Sequence, residues 1–75
     1  MNVKEFLKLT SEILECENEI GIDDDIDDIE EWDSLGVLSI ISMLDEMGIT
    51  LALDQFENIE TIKDYIDLVG ISDNE

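Results

Sequence analysis

The chain has 75 residues, enough for one small core but too few to surround a deep pocket with several catalytic groups, so residues 1–75 read as a single domain. It carries 22 acidic residues against three lysines (Lys4, Lys8, Lys63), no arginine and no histidine, for a net charge of −19. That charge repels nucleic-acid phosphate and anionic membrane surfaces and complements a basic protein surface, while the missing histidine removes the usual general base near neutral pH.

A hydrophobic content of 44% supplies a core and argues against disorder. The start, Met1-Asn2-Val3-Lys4-Glu5-Phe6, has charges that break any apolar run. It is expected to be neither a signal peptide nor a membrane span, which makes the cytoplasm the default location. Cys16 is alone, so no internal disulfide and no thiolate metal site can form.

Helical spacing predicts a first helix from about Val3 to Cys16. Phe6, Leu9, Ile13 and Cys16 mark its apolar stripe, and Leu7 and Leu14 widen it. Asn2 is a candidate N-cap, with Glu5 in capping-box position. A long connection follows, about Glu17 to Asp33. Eight of the eleven residues from Asp23 to Asp33 are acidic, and the other three are Ile26, Ile29 and Trp32. Their spacing of three predicts an irregular or one-turn helical loop pinned to the core by its apolar side.

The second helix is predicted from Ser34 to about Met47. Leu35, Leu38, Ile41 and Leu44 line one face, Val37 and Ile40 lie beside it, and Gly48 stops it. Ile49 to Leu53 reads as a buried connection, without a second strand to pair with. Asp54 is expected to cap a short helix that carries Phe56 and ends near Ile59. Thr61 opens the last helix, with Asp64 in capping-box position; Ile62, Tyr65, Ile66 and Val69 form its inner face, and Gly70 ends it. Ser72 to Glu75 reads as a frayed end. The expected fold is all-α: a small bundle of three main helices and one short one, with a long first loop and antiparallel packing.

The chemistry focuses on Asp33-Ser34-Leu35, where a charged loop meets an apolar helix. Ser34 suits an N-cap or first-turn position. Free backbone N–H groups and the helix dipole favour an anion there, which helps a phosphate ester by about 0.3–1 kcal/mol if exposed. The acidic loop opposes that gain. By spacing alone, a plain capping serine is the better reading.

The run Glu31-Trp32-Asp33-Ser34-Leu35-Gly36-Val37-Leu38 resembles the attachment motif of acyl carrier proteins, in which Asp-Ser-Leu opens the second helix. Phe56-Glu57-Asn58-Ile59-Glu60-Thr61-Ile62 resembles the same family's approach to its final helix, and the likeness covers Val3 to Val69. The resemblance implies a carrier and not an enzyme, with no catalytic residue of its own. Ser34 would hold a covalent 4'-phosphopantetheine arm, taken from coenzyme A by a separate phosphopantetheinyl transferase that supplies magnesium and base. The arm's thiol, not Cys16, would carry an acyl or aminoacyl group as a thioester. The partners implied are the transferase and acyl- or aminoacyl-activating and transferring enzymes with basic docking surfaces, met by a monomeric carrier. Asp33 would help position the transferase. Leu35 would be an apolar contact for partners, with Val37 and Ile40 as weaker candidates, for which core packing is the competing reading.

Two departures mark a specialised member. Trp32 stands where many members have glycine. Gly36, Ser39 and Ser42 leave the first half of the second helix uncharged, where fatty-acid carriers place acids. The alternative to a carrier is an acidic helical adaptor or divalent-cation-binding interaction module. A calcium loop starting at Asp23 would find Asp25 and Asp27 in place, but it needs glycine at Asp28 and glutamate at Ser34, so no specific metal site is expected.

Overall fold

The computed structural model describes residues 2–71. It contains four α-helices and one 3-10 turn: α1 (Val3–Leu14), the turn (Ile26–Asp28), α2 (Ser34–Glu46), α3 (Leu53–Phe56) and α4 (Ile62–Val69). The all-α architecture expected from the sequence is the one observed. No helix among the described residues is long and apolar enough to cross a membrane. The expected frayed end at Ser72 to Glu75 lies outside the described residues.

Helix α1 starts as expected, with Asn2 Oδ1 accepting a hydrogen bond from the Glu5 amide at 2.8 Å. It ends two residues earlier than expected. Glu15 takes a left-handed conformation (φ 59°), and the Cys16 amide turns back to bond the Ser11 carbonyl at 3.0 Å. Its inner face also differs. Phe6, Leu7, Thr10, Ser11 and Leu14 are buried, while Leu9 and Ile13 are exposed.

The reason is that the two hydroxyls find internal partners. Thr10 Oγ1 bonds the Phe6 carbonyl (3.0 Å), and it shares a hydrogen bond with the hydroxyl of Tyr65 on α4 (2.9 Å). Ser11 Oγ donates to the Leu7 carbonyl (2.8 Å) and accepts from the Ile20 amide (2.9 Å), which fastens the start of the long loop. A buried hydroxyl with its bonds made costs little, so this row of α1 can face inward.

The acidic loop is pinned as expected. Ile26 is buried, and Ile29 and Trp32 are half-buried against the core. Backbone bonds also tie it to the entry of α4: the Ile26 amide bonds the Glu60 carbonyl, and the Ile62 amide bonds the Asp24 carbonyl, each at 3.0 Å. The other three aromatic side chains gather around Tyr65. Phe6 stacks on it at 5.3 Å, Trp32 meets it edge-on at 5.0 Å, and Phe56 lies at 6.1 Å. Trp32 is therefore a loop anchor.

The connection from Ile49 is only half-buried, through Ile49 and Leu51; Leu53 is exposed. Asp54 does not cap α3. The helix starts two residues sooner, with Ala52 at the cap position, and Gln55 Oε1 reaches back to accept from the Ala52 amide at 2.8 Å. It also stops at Phe56, short of Ile59. Helix α4 follows its predicted box: Thr61 Oγ1 accepts from the Asp64 amide (3.1 Å), and Asp64 Oδ2 accepts from the Thr61 amide (3.3 Å). Gly70 ends it with φ 87°, a value that favours glycine.

Burial pushes the Tyr65 hydroxyl well above the ordinary phenol range, and its bond to Thr10 opposes this only in part. Because the folded state holds this proton more tightly, stability is intact below the unfolded phenol pKa of about 10 and falls as pH rises past it. A pH series of chemical melts should show a decline beginning near pH 10, and Tyr65→Phe should flatten its steepest part.

Candidate functional site

The start of α2 is set by its cap. Asp33 is extended (φ −118°, ψ −173°), and its Oδ1 accepts from the Gly36 amide at 2.8 Å, while its carbonyl accepts from the Val37 amide. Asp33, not Ser34, is thus the N-cap, and its negative charge sits where the helix dipole favours it. Ser34 falls at the first helical position. It is exposed, and its hydroxyl makes no hydrogen bond to another described residue. The reading of Ser34 as a capping serine is thereby displaced, because the capping bond belongs to its neighbour.

Asp33→Ala removes that bond and should cost about 0.5–2 kcal/mol. Asp33→Asn keeps an acceptor oxygen and should cost much less. Urea melts of the two variants separate the cap from the charge.

Gly36 is the residue whose role the sequence concealed. A Cβ there would strike the Glu31 carbonyl oxygen and lie 2.7 Å from Leu14 Cδ2. Glycine lets α2 press against both the loop and α1, which fixes Ser34 at the helix mouth. The sequence presents Gly36 as a weak point in the first turn; the structure makes it a close-contact position.

The remaining candidates divide by burial. Leu35 is 76% exposed and stands beside Ser34 on the surface. Val37 and Ile40 are buried with Leu44 on the core face of α2, where the competing core-packing reading puts them. Of the row Leu35, Leu38, Ile41 and Leu44, only Leu44 is buried; Leu35 and Leu38 point outward. Both rows of α2 are apolar at helical spacing, and the Gly36 contact decides which one turns inward.

A cleft of about 310 Å³ opens next to Ser34, walled by Ile26, Trp32, Val37, Leu53 and Phe56. Cys16 lies on another side, half-buried; burial first, then the charge of Glu31 and a bond to it, push its thiol up and hold it in the unreactive form.

Ser34 is thus an exposed hydroxyl at a capped helix start, held by no other described residue. The family model for the phosphopantetheine attachment site matches residues 4–69, and the chain belongs to that family. No curated protein and no solved structure matches it. Members of the family carry covalently attached 4'-phosphopantetheine. The residues present fit the group. The Ser34 and Leu35 amides, at the first two positions of α2, have no hydrogen-bond acceptor among the described residues and suit a phosphodiester, and the neighbouring cleft offers apolar wall to a chain attached there.

Proposed function

We propose that the chain is an acyl carrier whose Ser34 bears the phosphopantetheine arm and presents an acyl or aminoacyl group to partner enzymes. The observation that carries this reading is the free, exposed Ser34 hydroxyl at the first position of α2, inside the span that the family model matches. The arm supplies a terminal thiol for a thioester. The chain's own residues present the hydroxyl, hold it at a rigid helix start and keep the adjoining surface open.

With no histidine in the chain, the base that activates Ser34 comes from the phosphopantetheinyl transferase. Asp33 has two roles, cap and acidic recognition point, and Leu35 is the apolar contact beside the arm. Basic surfaces on the activating and transferring enzymes complement the net charge, which speeds encounter and disfavours self-association, so the carrier works as a monomer. The uncharged first half of α2, with Gly36, Ser39 and Ser42, favours a specialised carrier served by dedicated enzymes over a fatty-acid carrier.

The test is intact-mass measurement after incubation with coenzyme A, magnesium and a broad-specificity transferase. A gain of one phosphopantetheinyl group supports the carrier reading. No gain with several transferases on the folded protein would replace it with the acidic adaptor.

A further inference from the structure

We propose that Trp32 is a specificity-determining residue: it closes the interior of the bundle to the group carried on Ser34 and so limits that group to a short one. The inference rests on Ser34 bearing the arm, and it adds the class of cargo. Two seams lead inward from Ser34, and both are shut.

The first lies behind the cleft beside Ser34, which Trp32 and Phe56 help to wall. Both also pack on Tyr65, Trp32 edge-on at 5.0 Å and Phe56 at 6.1 Å, and their own rings lie 6.5 Å apart. Phe6 stacks on Tyr65 at 5.3 Å, and neither Phe6 nor Tyr65 has any exposed surface. A chain pushed past Trp32 would have to part these rings and break the buried bond between Tyr65 and Thr10. Trp32 stands where many carriers have glycine. With glycine there, the space that its indole fills would open behind the cleft.

The second seam runs between α1 and α2. There Gly36 lies so close to the Glu31 carbonyl and to Leu14 that even a Cβ does not fit. A chain of methylenes needs more room than one Cβ. What remains is the open cleft itself. At roughly 30 Å³ per small group, the share of a water molecule in the liquid, its volume of about 310 Å³ holds on the order of ten chain atoms. Asp33, Ser34 and Glu57, all exposed, complete its lining, so carbons beyond its capacity meet carboxylates and water.

The test loads the full chain from acetyl-, butanoyl-, hexanoyl-, octanoyl-, dodecanoyl- and palmitoyl-coenzyme A with a broad-specificity transferase and magnesium. Intact mass is read first, then the urea midpoint and the amide shifts of each loaded form. The midpoint should rise up to octanoyl and stay level from there to palmitoyl, because only buried methylenes stabilise. Shifts should centre on Trp32, Leu53 and Phe56 and leave Phe6 and Ile62 in place. Trp32→Leu keeps an apolar anchor but empties part of the indole's space, so it should move the plateau to longer chains, which a purely structural role would not do. A wild-type midpoint that keeps rising to palmitoyl, with shifts at Phe6 and Ile62, would overturn the inference. So would a series that is flat throughout, or a plateau that Trp32→Leu leaves unchanged. If that variant does not fold, the wild-type series decides alone. A chain that takes up no acyl group sinks the carrier reading underneath, whereas a loaded chain with the wrong length dependence sinks only this inference.

Discussion

Ser34→Ala is expected to abolish phosphopantetheine loading completely while leaving the fold in place. The side chain is exposed and its hydroxyl bonds to no other described residue, so its removal leaves no buried group unsatisfied and no cavity. The helix cap belongs to Asp33 and survives. Stability should therefore stay within about 0.5 kcal/mol of wild type, the range for a surface substitution. Helical circular dichroism and a urea midpoint check the fold, and intact mass checks loading. Partial loading of the variant would mean that another hydroxyl, such as that of Ser39 or Ser42, accepts the group.

Gly36→Ala is expected to do the opposite, harming the fold first. In an open helix position alanine would gain up to about 1 kcal/mol over glycine. Here the added methyl meets the Glu31 carbonyl, which is backbone and cannot swing aside, and also Leu14 Cδ2. Overpacking of this kind costs about 1–3 kcal/mol, and Gly36→Val should cost more. A urea midpoint that falls at unchanged slope is the expected signature. An unchanged or raised midpoint would mean that α2 moves away from the loop without cost, and Ser34 would then be less firmly placed than described. The loss is large for a chain of this size, since stabilities of small domains are only several kcal/mol.

Much of the architecture is legible in the sequence because it rests on local chemistry. Asn2, the Thr61–Asp64 box and Gly70 act on backbone groups within a turn of themselves, so spacing alone reveals them. Ile26, Ile29 and Trp32 are legible because an acidic loop has no other use for three apolar residues. Ser34 at the junction of loop and helix is visible for the same reason.

The sidedness of α1 and α2 is not legible. Each helix has two apolar rows at helical spacing, and periodicity cannot choose between them. On α1 the choice turns on Thr10, whose hydroxyl is satisfied by Tyr65, 55 residues away in sequence. On α2 it turns on Gly36, which faces Leu14 and Glu31 and so carries Val37 and Ile40 inward and Leu35 outward. Val37 and Ile40, weaker candidates for a partner contact than Leu35, pack into the core, the reading that competed with contact at these two positions. A signal for the true arrangement was present in the glycine itself: a helix start that tolerates glycine at its third position has a neighbour too close for a side chain.

The central claim is that Ser34 is the atom-level site of attachment. Its most direct test is peptide mapping by tandem mass spectrometry of the protein loaded with a phosphopantetheinyl transferase, coenzyme A and magnesium. The fragment series should place the added group on Ser34 and leave Ser39 and Ser42 unmodified. A group located on either of those serines, or no group on any serine of a demonstrably folded chain, would contradict the account.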